Sequence, residues 1–339
     1  MLKKSFEASA SSATTFILIA SIIAGALFGH FSPKLGQELG DIVDYTLLLL
    51  VTILFFGVRF ETLIKASSNW RFLAIALVAN FFLVPIIGYG IASIFLFDHP
   101  LLFVGLVIYF MAPCTDWFLG FTRLSGGNVA LGATLLPINM VLQLLLYPFY
   151  LELFTQQIVE VNTLMIANSM MNWFLLPLAS AVMLHQILRK SLPPQRFDKI
   201  LQRADQTTPW LIGLLVFVIF SANINTILEH QTIMAWMLLA VFIFFLLTFL
   251  LGEGLSYVFR LSYPERALLT MTIAARNAPL MLAVTMAALP GQPLIYAALV
   301  MGMLMELPHL TALRRLLLVI KQHAENKNVL DNTRLDNQP

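Results

Sequence analysis

The sequence predicts an all-α polytopic membrane protein. It reads as ten transmembrane helices in a five-plus-five inverted repeat, with helices 4 and 9 broken near their middles. Three observations predict this. The 339-residue chain is 59% hydrophobic and 11% charged, with a mean hydropathy of +0.84, against about 25% charged in a soluble domain. Its apolar stretches recur at the ~20-residue length a bilayer requires. Its basic residues gather in alternate connectors, as they do in a chain threaded through a membrane. The net charge of +2 points to no nucleic-acid partner, because the basic residues are scattered through loops. The single cysteine, Cys114, excludes an intrachain disulfide.

Residues 1–11 read as a cytoplasmic N-terminus. Lys3 and Lys4 precede a polar run from Glu7 to Thr15. That spacer is long for a cleaved signal peptide, and no small-residue cleavage site closes the segment, so the first apolar stretch is read as a retained span. The first repeat, 12–154, holds spans at 12–31, 42–60, 71–97, 101–123 and 128–154. The second, 155–319, holds spans at 163–188, 209–227, 232–257, 265–289 and 293–319. The longest connector, Arg189 to Thr208, contains Pro193, Pro194 and five basic residues. Residues 320–339 are polar and read as a disordered cytoplasmic tail. With both termini inside a cell membrane, inner or plasma, all of the 20 basic residues except Lys34 and Arg276 fall on the cytoplasmic side.

The repeat shows in short matches. Phe81-Phe82-Leu83 and Gly88-Tyr89-Gly90 in span 3 correspond to Phe244-Phe245-Leu246 and Gly252-Glu253-Gly254 in span 8. Ala112-Pro113 in span 4 corresponds to Ala278-Pro279 in span 9, and Leu146-Tyr147-Pro148 in span 5 to Glu306-Leu307-Pro308 in span 10. The offsets stay within 160–166 residues. An odd number of spans per copy makes the second copy inverted, a signature of secondary transporters.

Proline in a helix removes a backbone hydrogen bond and breaks or kinks it. Pro113 and Pro279 do so at matching positions. Cys114, Thr115 and Asp116 stand beside the first break, and Arg276 and Asn277 beside the second. Paired broken helices are the strongest sequence pointer to a transport site, because half-helix ends present partial charges and free backbone groups. Arginine at mid-membrane costs at least about 2.5 kcal/mol, so Arg276 requires a cavity or a partner. The acids available in spans are Asp116, Glu253 and Glu306. Each is a candidate proton carrier or a paired structural group. Asn80, Asn139, Asn168 and Asn172 are candidates for bonds between helices. All six histidines lie at span ends or in loops. No intramembrane nucleophile–base set or metal cluster is therefore evident, an enzyme is not expected, and no cofactor is called for.

The stretches Ala112-Pro113-Cys114-Thr115-Asp116-Trp117, Leu124 to Leu131 (LSGGNVAL) and Ala275-Arg276-Asn277-Ala278-Pro279-Leu280 resemble the bile acid/sodium symporter superfamily, and within it the arsenite efflux permeases. The resemblance covers about residues 12–319. It implies that broken spans 4 and 9 cross in a core domain, set against a panel domain of spans 1, 2, 6 and 7. Sodium-coupled members carry oxygen-bearing ligands at positions that here hold Phe118, Leu119, Thr272 and Arg276, so sodium coupling is not expected. In arsenite permeases the span 4 cysteine handles the metalloid, and Cys114 matches it.

The leading reading is a secondary transporter that exports arsenite, or a related trivalent metalloid, against inward protons by alternating access. Cys114, Thr115, Arg276 and Asn277 would bind substrate, and Asp116, Glu253 and Glu306 would carry protons. The alternative is a transporter of a small organic anion, with Arg276 and the half-helix N-termini receiving a carboxylate. The expected partners are the small-molecule or metalloid substrate, protons and the lipid bilayer.

Overall fold

A computed structural model describes residues 2–57, 69–115, 117–155, 176–229 and 231–336. They are almost wholly helical: α1 Leu2–Phe31, α2 Pro33–Leu39, α3 Val43–Phe56, α4 Trp70–Leu96, α5 Pro100–Met111, α6 Trp117–Leu124, α7 Val129–Thr155, α8 Leu176–Ser191, α9 Pro194–Glu229, α10 Gln231–Val258, α11 Tyr263–Ala274, α12 Ala278–Ala288 and α13 Pro293–Asp336. The one extended pairing among the described residues joins Pro113 to Arg276.

Among the described residues, five helices are long and apolar enough to cross a membrane: α4, α7, α9, α10 and α13. The spans expected at 101–123 and 265–289 are each divided in two, α5 with α6 and α11 with α12, so no half reaches bilayer length by itself. The span expected at 163–188 begins outside the described residues, and α8 covers its second half. Helix α13 runs on to Asp336, past the expected span end at residue 319.

Large apolar side chains line the outside at helical spacing. Val78, Phe82, Ile86 and Tyr89 are exposed on α4, and Leu239, Phe242, Leu246 and Leu250 on α10. Such stripes would be a liability in water and are at home against lipid tails. The chain is a multi-pass integral membrane protein.

Helices α1, α2, α3, α8 and α9 pack on one another, while α4, α5, α6, α7, α10, α11, α12 and α13 pack around the two breaks. The groups meet where α1 and α9 touch α13 and where α3 touches α12. Small residues set the closest approaches. Gly25 and Gly29, one GxxxG step apart, lie against α9: a Cβ on Gly29 would sit 2.1 Å from the Ser221 carbonyl oxygen, a backbone atom that cannot step aside.

Proline also marks α4. A π turn over Ala79–Leu83 precedes Pro85. Pro85 has no N–H to offer the Phe81 carbonyl one turn earlier. The Tyr150 hydroxyl on α7 donates to that carbonyl instead, at 2.5 Å. The wider turn buries Asn80 completely, which matters below.

Gly29→Val should separate α1 from α9 and lower the thermal unfolding midpoint of the purified chain, with a cost of about 1–3 kcal/mol for overpacking. Gly90→Ala, whose Cβ meets open space, should leave the midpoint unchanged or raise it. Thermal denaturation of both variants in detergent checks the pair.

Candidate functional site

The two breaks form for a stated chemical reason. Pro113 disfavours a helical residue before it, and Ala112 is extended at φ −100, ψ 113. Helix α5 therefore ends at Met111. In span 9, Pro279 cannot donate to the Ala275 carbonyl four residues back, and its ring would clash with that carbonyl. Ala275 is accordingly extended, at φ −77, ψ 135, and α11 ends at Ala274. Asn277 then caps α12, its side-chain oxygen accepting from the Leu280 N–H at 3.4 Å. At the far end of α11, the Glu265 carboxylate accepts from the Ser262 amide and hydroxyl at 3.0 and 2.8 Å and from the Asn69 side-chain amide at 2.8 Å.

The two unwound segments run antiparallel and complete each other. The Cys114 N–H donates to the Ala275 carbonyl at 3.0 Å, and the Asn277 N–H to the Ala112 carbonyl at 2.9 Å. Between these bonds sits the pair Pro113 and Arg276, a position of an antiparallel ladder that exchanges no hydrogen bonds. Proline's missing donor therefore costs nothing there. One side-chain bond adds to the join: the Asn277 amide donates to the Thr115 hydroxyl at 3.0 Å.

Arg276 is fully buried at this crossing. Its Nη1 donates to the Phe110 carbonyl at 3.0 Å. Its Nη2 donates to the carbonyls of Ile273 at 2.6 Å and Thr272 at 3.1 Å, and to the Asn80 side-chain oxygen at 3.3 Å. The guanidinium lies 5.8 Å from the Phe244 ring centre, and that ring stacks on Phe110 at 4.0 Å. The backbone N–H of Arg276 donates to Glu306 Oε1 at 3.0 Å. Thus the arginine's hydrogen-bond partners are chiefly the carbonyls left open where α5 and α11 stop. Among the described residues, Glu306 is an acid that reaches the crossing, where its carboxylate accepts from the Arg276 main-chain N–H.

Further polar groups converge on the same region. The Asn80 and Asn139 amides donate to the Thr272 hydroxyl at 3.2 and 3.4 Å. One helical turn along α7 from Asn139 comes Gln143, 2% exposed, with neither side-chain polar atom partnered among the described residues. A further turn on, the Tyr147 and Thr285 hydroxyls share a bond of 3.0 Å. Because Asn139 touches α11 and Tyr147 touches α12, Gln143 stands level with the break between them.

Of the residues singled out from the sequence, Cys114, Thr115, Arg276, Asn277 and Glu306 come together here, each no more than 3% exposed. Asp116 lies outside the described residues, as do Asn168 and Asn172. Glu253 is elsewhere: near the end of α10 it forms an ion pair with Arg266, whose Nε donates to its carboxylate at 2.9 Å. A cavity of about 710 Å³ opens beside that pair, lined also by Ser256, Tyr257, Arg260 and Leu261; it is separate from the crossing. Phe110, Gln143 and Tyr147 join the site without having been site candidates in the sequence, where Tyr147 stood out only as part of a repeat match. The i, i+4, i+8 spacing of Asn139, Gln143 and Tyr147 was the signal for the last two.

Comparison with known proteins agrees with the geometry. The family model described as the Sodium Bile acid symporter family matches residues 44–230. The arsenical-resistance protein Acr3 of Corynebacterium glutamicum is 24% identical over 269 residues, 76% of this chain and 72% of that protein. The chloroplastic probable sodium/metabolite cotransporter BASS2 of Oryza sativa subsp. japonica is 24% identical over 242 residues, covering 70% of this chain and 55% of that protein.

Arg276→Ala should reduce the yield of folded protein sharply, since each buried acceptor left without a donor costs about 1–3 kcal/mol and four lose theirs. Asn80→Ala, which removes one acceptor and one donor, should cost less. Monodisperse yield on size exclusion and the unfolding midpoint give the order: wild type above Asn80→Ala above Arg276→Ala.

Proposed function

The chain belongs to the sodium bile acid symporter family, and on that footing we propose that it is a secondary transporter moving a small organic anion by alternating access. The observation that carries this reading is the buried antiparallel join of two broken helices, Ala112–Thr115 with Ala275–Asn277. Unwound backbone in the apolar interior of a membrane protein is tolerated only where it is buried or lines a passage, and matched breaks of this kind are where secondary transporters hold their substrates. The N-terminal ends of α6 and α12 lie beside the join, and helix N-termini favour anions. Thr115 and Asn277 supply neutral hydrogen-bonding groups, and the buried Gln143 amide, unpartnered among the described residues, is a ready donor for a carboxylate. The full proposal keeps ten spans in an inverted five-plus-five repeat with both termini cytoplasmic, a reading supported by the repeat offsets and the loop charges. Among the three acids considered for coupling, Glu306 stands at the crossing, while Glu253 is held by Arg266.

A second reading has one observation in its favour. Cys114 is buried in the join itself, and a thiolate is the soft ligand that would capture a trivalent metalloid; one relative carries an arsenical-resistance name. Proton-driven arsenite export is then the function to set against organic-anion transport.

Flux into proteoliposomes separates the two. The expected result is accumulation of a small carboxylate by the wild type, unchanged in Cys114→Ser and reduced at least about tenfold in Gln143→Leu, the loss of roughly one charge-assisted bond. Arsenite or antimonite flux that follows the pH gradient and disappears in Cys114→Ser, with no carboxylate moved, would replace the organic-anion reading with the metalloid one.

A further inference from the structure

We propose that Arg276 is a tethered cation: its guanidinium fills a monovalent-cation site built by the C-terminal ends of two half-helices and so takes the place of a dissolved ion. The observation is the kind of oxygen that surrounds it. A buried arginine serving only to glue helices is most simply satisfied by a carboxylate, charge against charge. Among the described residues, Glu306 stays on the main-chain N–H, and Nη2 donates to two main-chain carbonyls and one side-chain amide oxygen, those of Ile273, Thr272 and Asn80, within 2.6–3.3 Å. A third carbonyl, Phe110, is on Nη1 at 3.0 Å. Neutral oxygens gathered around one positive group are the ligand set of a hard cation.

Their origin strengthens the case. Thr272 and Ile273 belong to the last turn of α11, and Phe110 to the last turn of α5. The final carbonyls of a helix have no partner within it, and each C-terminus carries about half a negative charge. Two such ends face one site, and half-helix C-terminal ends are where transporters hold their ions. The Asn80 oxygen is brought from a third helix by the π turn of α4. A positive charge at this point is thus required by the fold, and residue 276, in the unwound strand between α11 and α12, supplies it covalently. A tethered charge cannot dissociate, so no ion gradient is drawn down through this position.

The test uses the full chain in detergent and reads binding, not transport, so it stands or falls separately from the proposed function. Unfolding midpoints are compared in sodium, potassium, lithium and choline chloride at equal ionic strength. The wild type is expected to show the same midpoint in all four. Arg276→Gln, which removes the charge and leaves an oxygen, is expected to have a low midpoint in choline, raised saturably by at least one alkali ion, by about 3 °C or more at a hundred times its dissociation constant. Adding Asn80→Asp to Arg276→Gln, which places a carboxylate among the ligands, is expected to lower the half-saturating concentration at least tenfold. If Arg276→Gln does not survive purification in choline, yield becomes the readout: recovery in an alkali salt supports the proposal, and equal loss in every salt overturns it. An Arg276→Gln protein that unfolds alike in all four salts would show that the guanidinium is a staple only. A wild type stabilised by sodium over choline would show that its cation site is still open, and would overturn the proposal as well.

Discussion

Every backbone N–H and C=O inside a bilayer must find a partner within the protein, because no water is there to serve. An unbroken helix meets this demand automatically, and a broken one fails it at two ends. This chain breaks two helices, and each break satisfies the other: Cys114 donates to Ala275, Asn277 to Ala112, and the guanidinium of Arg276 takes up Phe110, Thr272 and Ile273. Neither break would be tolerable alone. The crossing therefore depends on both halves being present, which is a physical reason for two prolines at matched places.

The same demand recurs at smaller scale. Pro85 cannot donate to the Phe81 carbonyl, and Tyr150 on a neighbouring helix donates to it. The π turn that precedes Pro85 carries Asn80 into the ring of oxygens around Arg276. The local conformation of α4 is thus part of the crossing, although it lies on another element. The apolar surroundings have a matching role: Phe244 faces the guanidinium and stacks on Phe110, sealing the charge from lipid with a polarizable face.

Proline and charge are the parts of this structure that a reader of the chain can see. Pro113 and Pro279 announce the breaks because each removes a donor the helix needs, and Arg276 announces a buried partner because it is so costly without one. The partner's identity is hidden, since sequence letters name carboxylates, whereas the acceptors here are main-chain carbonyls that exist only once the helices have stopped. Glu253 looked equivalent to Glu306 along the chain. The turn between α10 and α11 folds Arg266 back onto it, a tertiary pairing that hydropathy does not encode. Gln143 was legible from its helical spacing with Asn139 and Tyr147, but only after their partners on α11 and α12 are known. Spans 3, 5, 7, 8 and 10 were legible as membrane-length helices, spans 4 and 9 are each made of two halves, and spans 2 and 6 lie partly outside the described residues.

Those bonds also constrain how the molecule can move. Separating α5 from α11 would strand several buried carbonyls and a guanidinium at once, each at a cost of about 1–3 kcal/mol or more. The helices around the crossing are therefore held as one body. Among the described residues, α1, α2, α3, α8 and α9 meet that body chiefly where α1 and α9 touch α13 and α3 touches α12. Both elements of the second contact carry buried apolar side chains: Leu50, Val51 and Phe55 on α3, and Leu282 and Ala283 on α12. Apolar packing has no directional bonds to break, so sliding one group past the other costs less than opening the crossing. Alternating access of the kind proposed is then cheapest as a displacement of the crossing with its surrounding helices, and the polar groups at the join would travel together with whatever they hold.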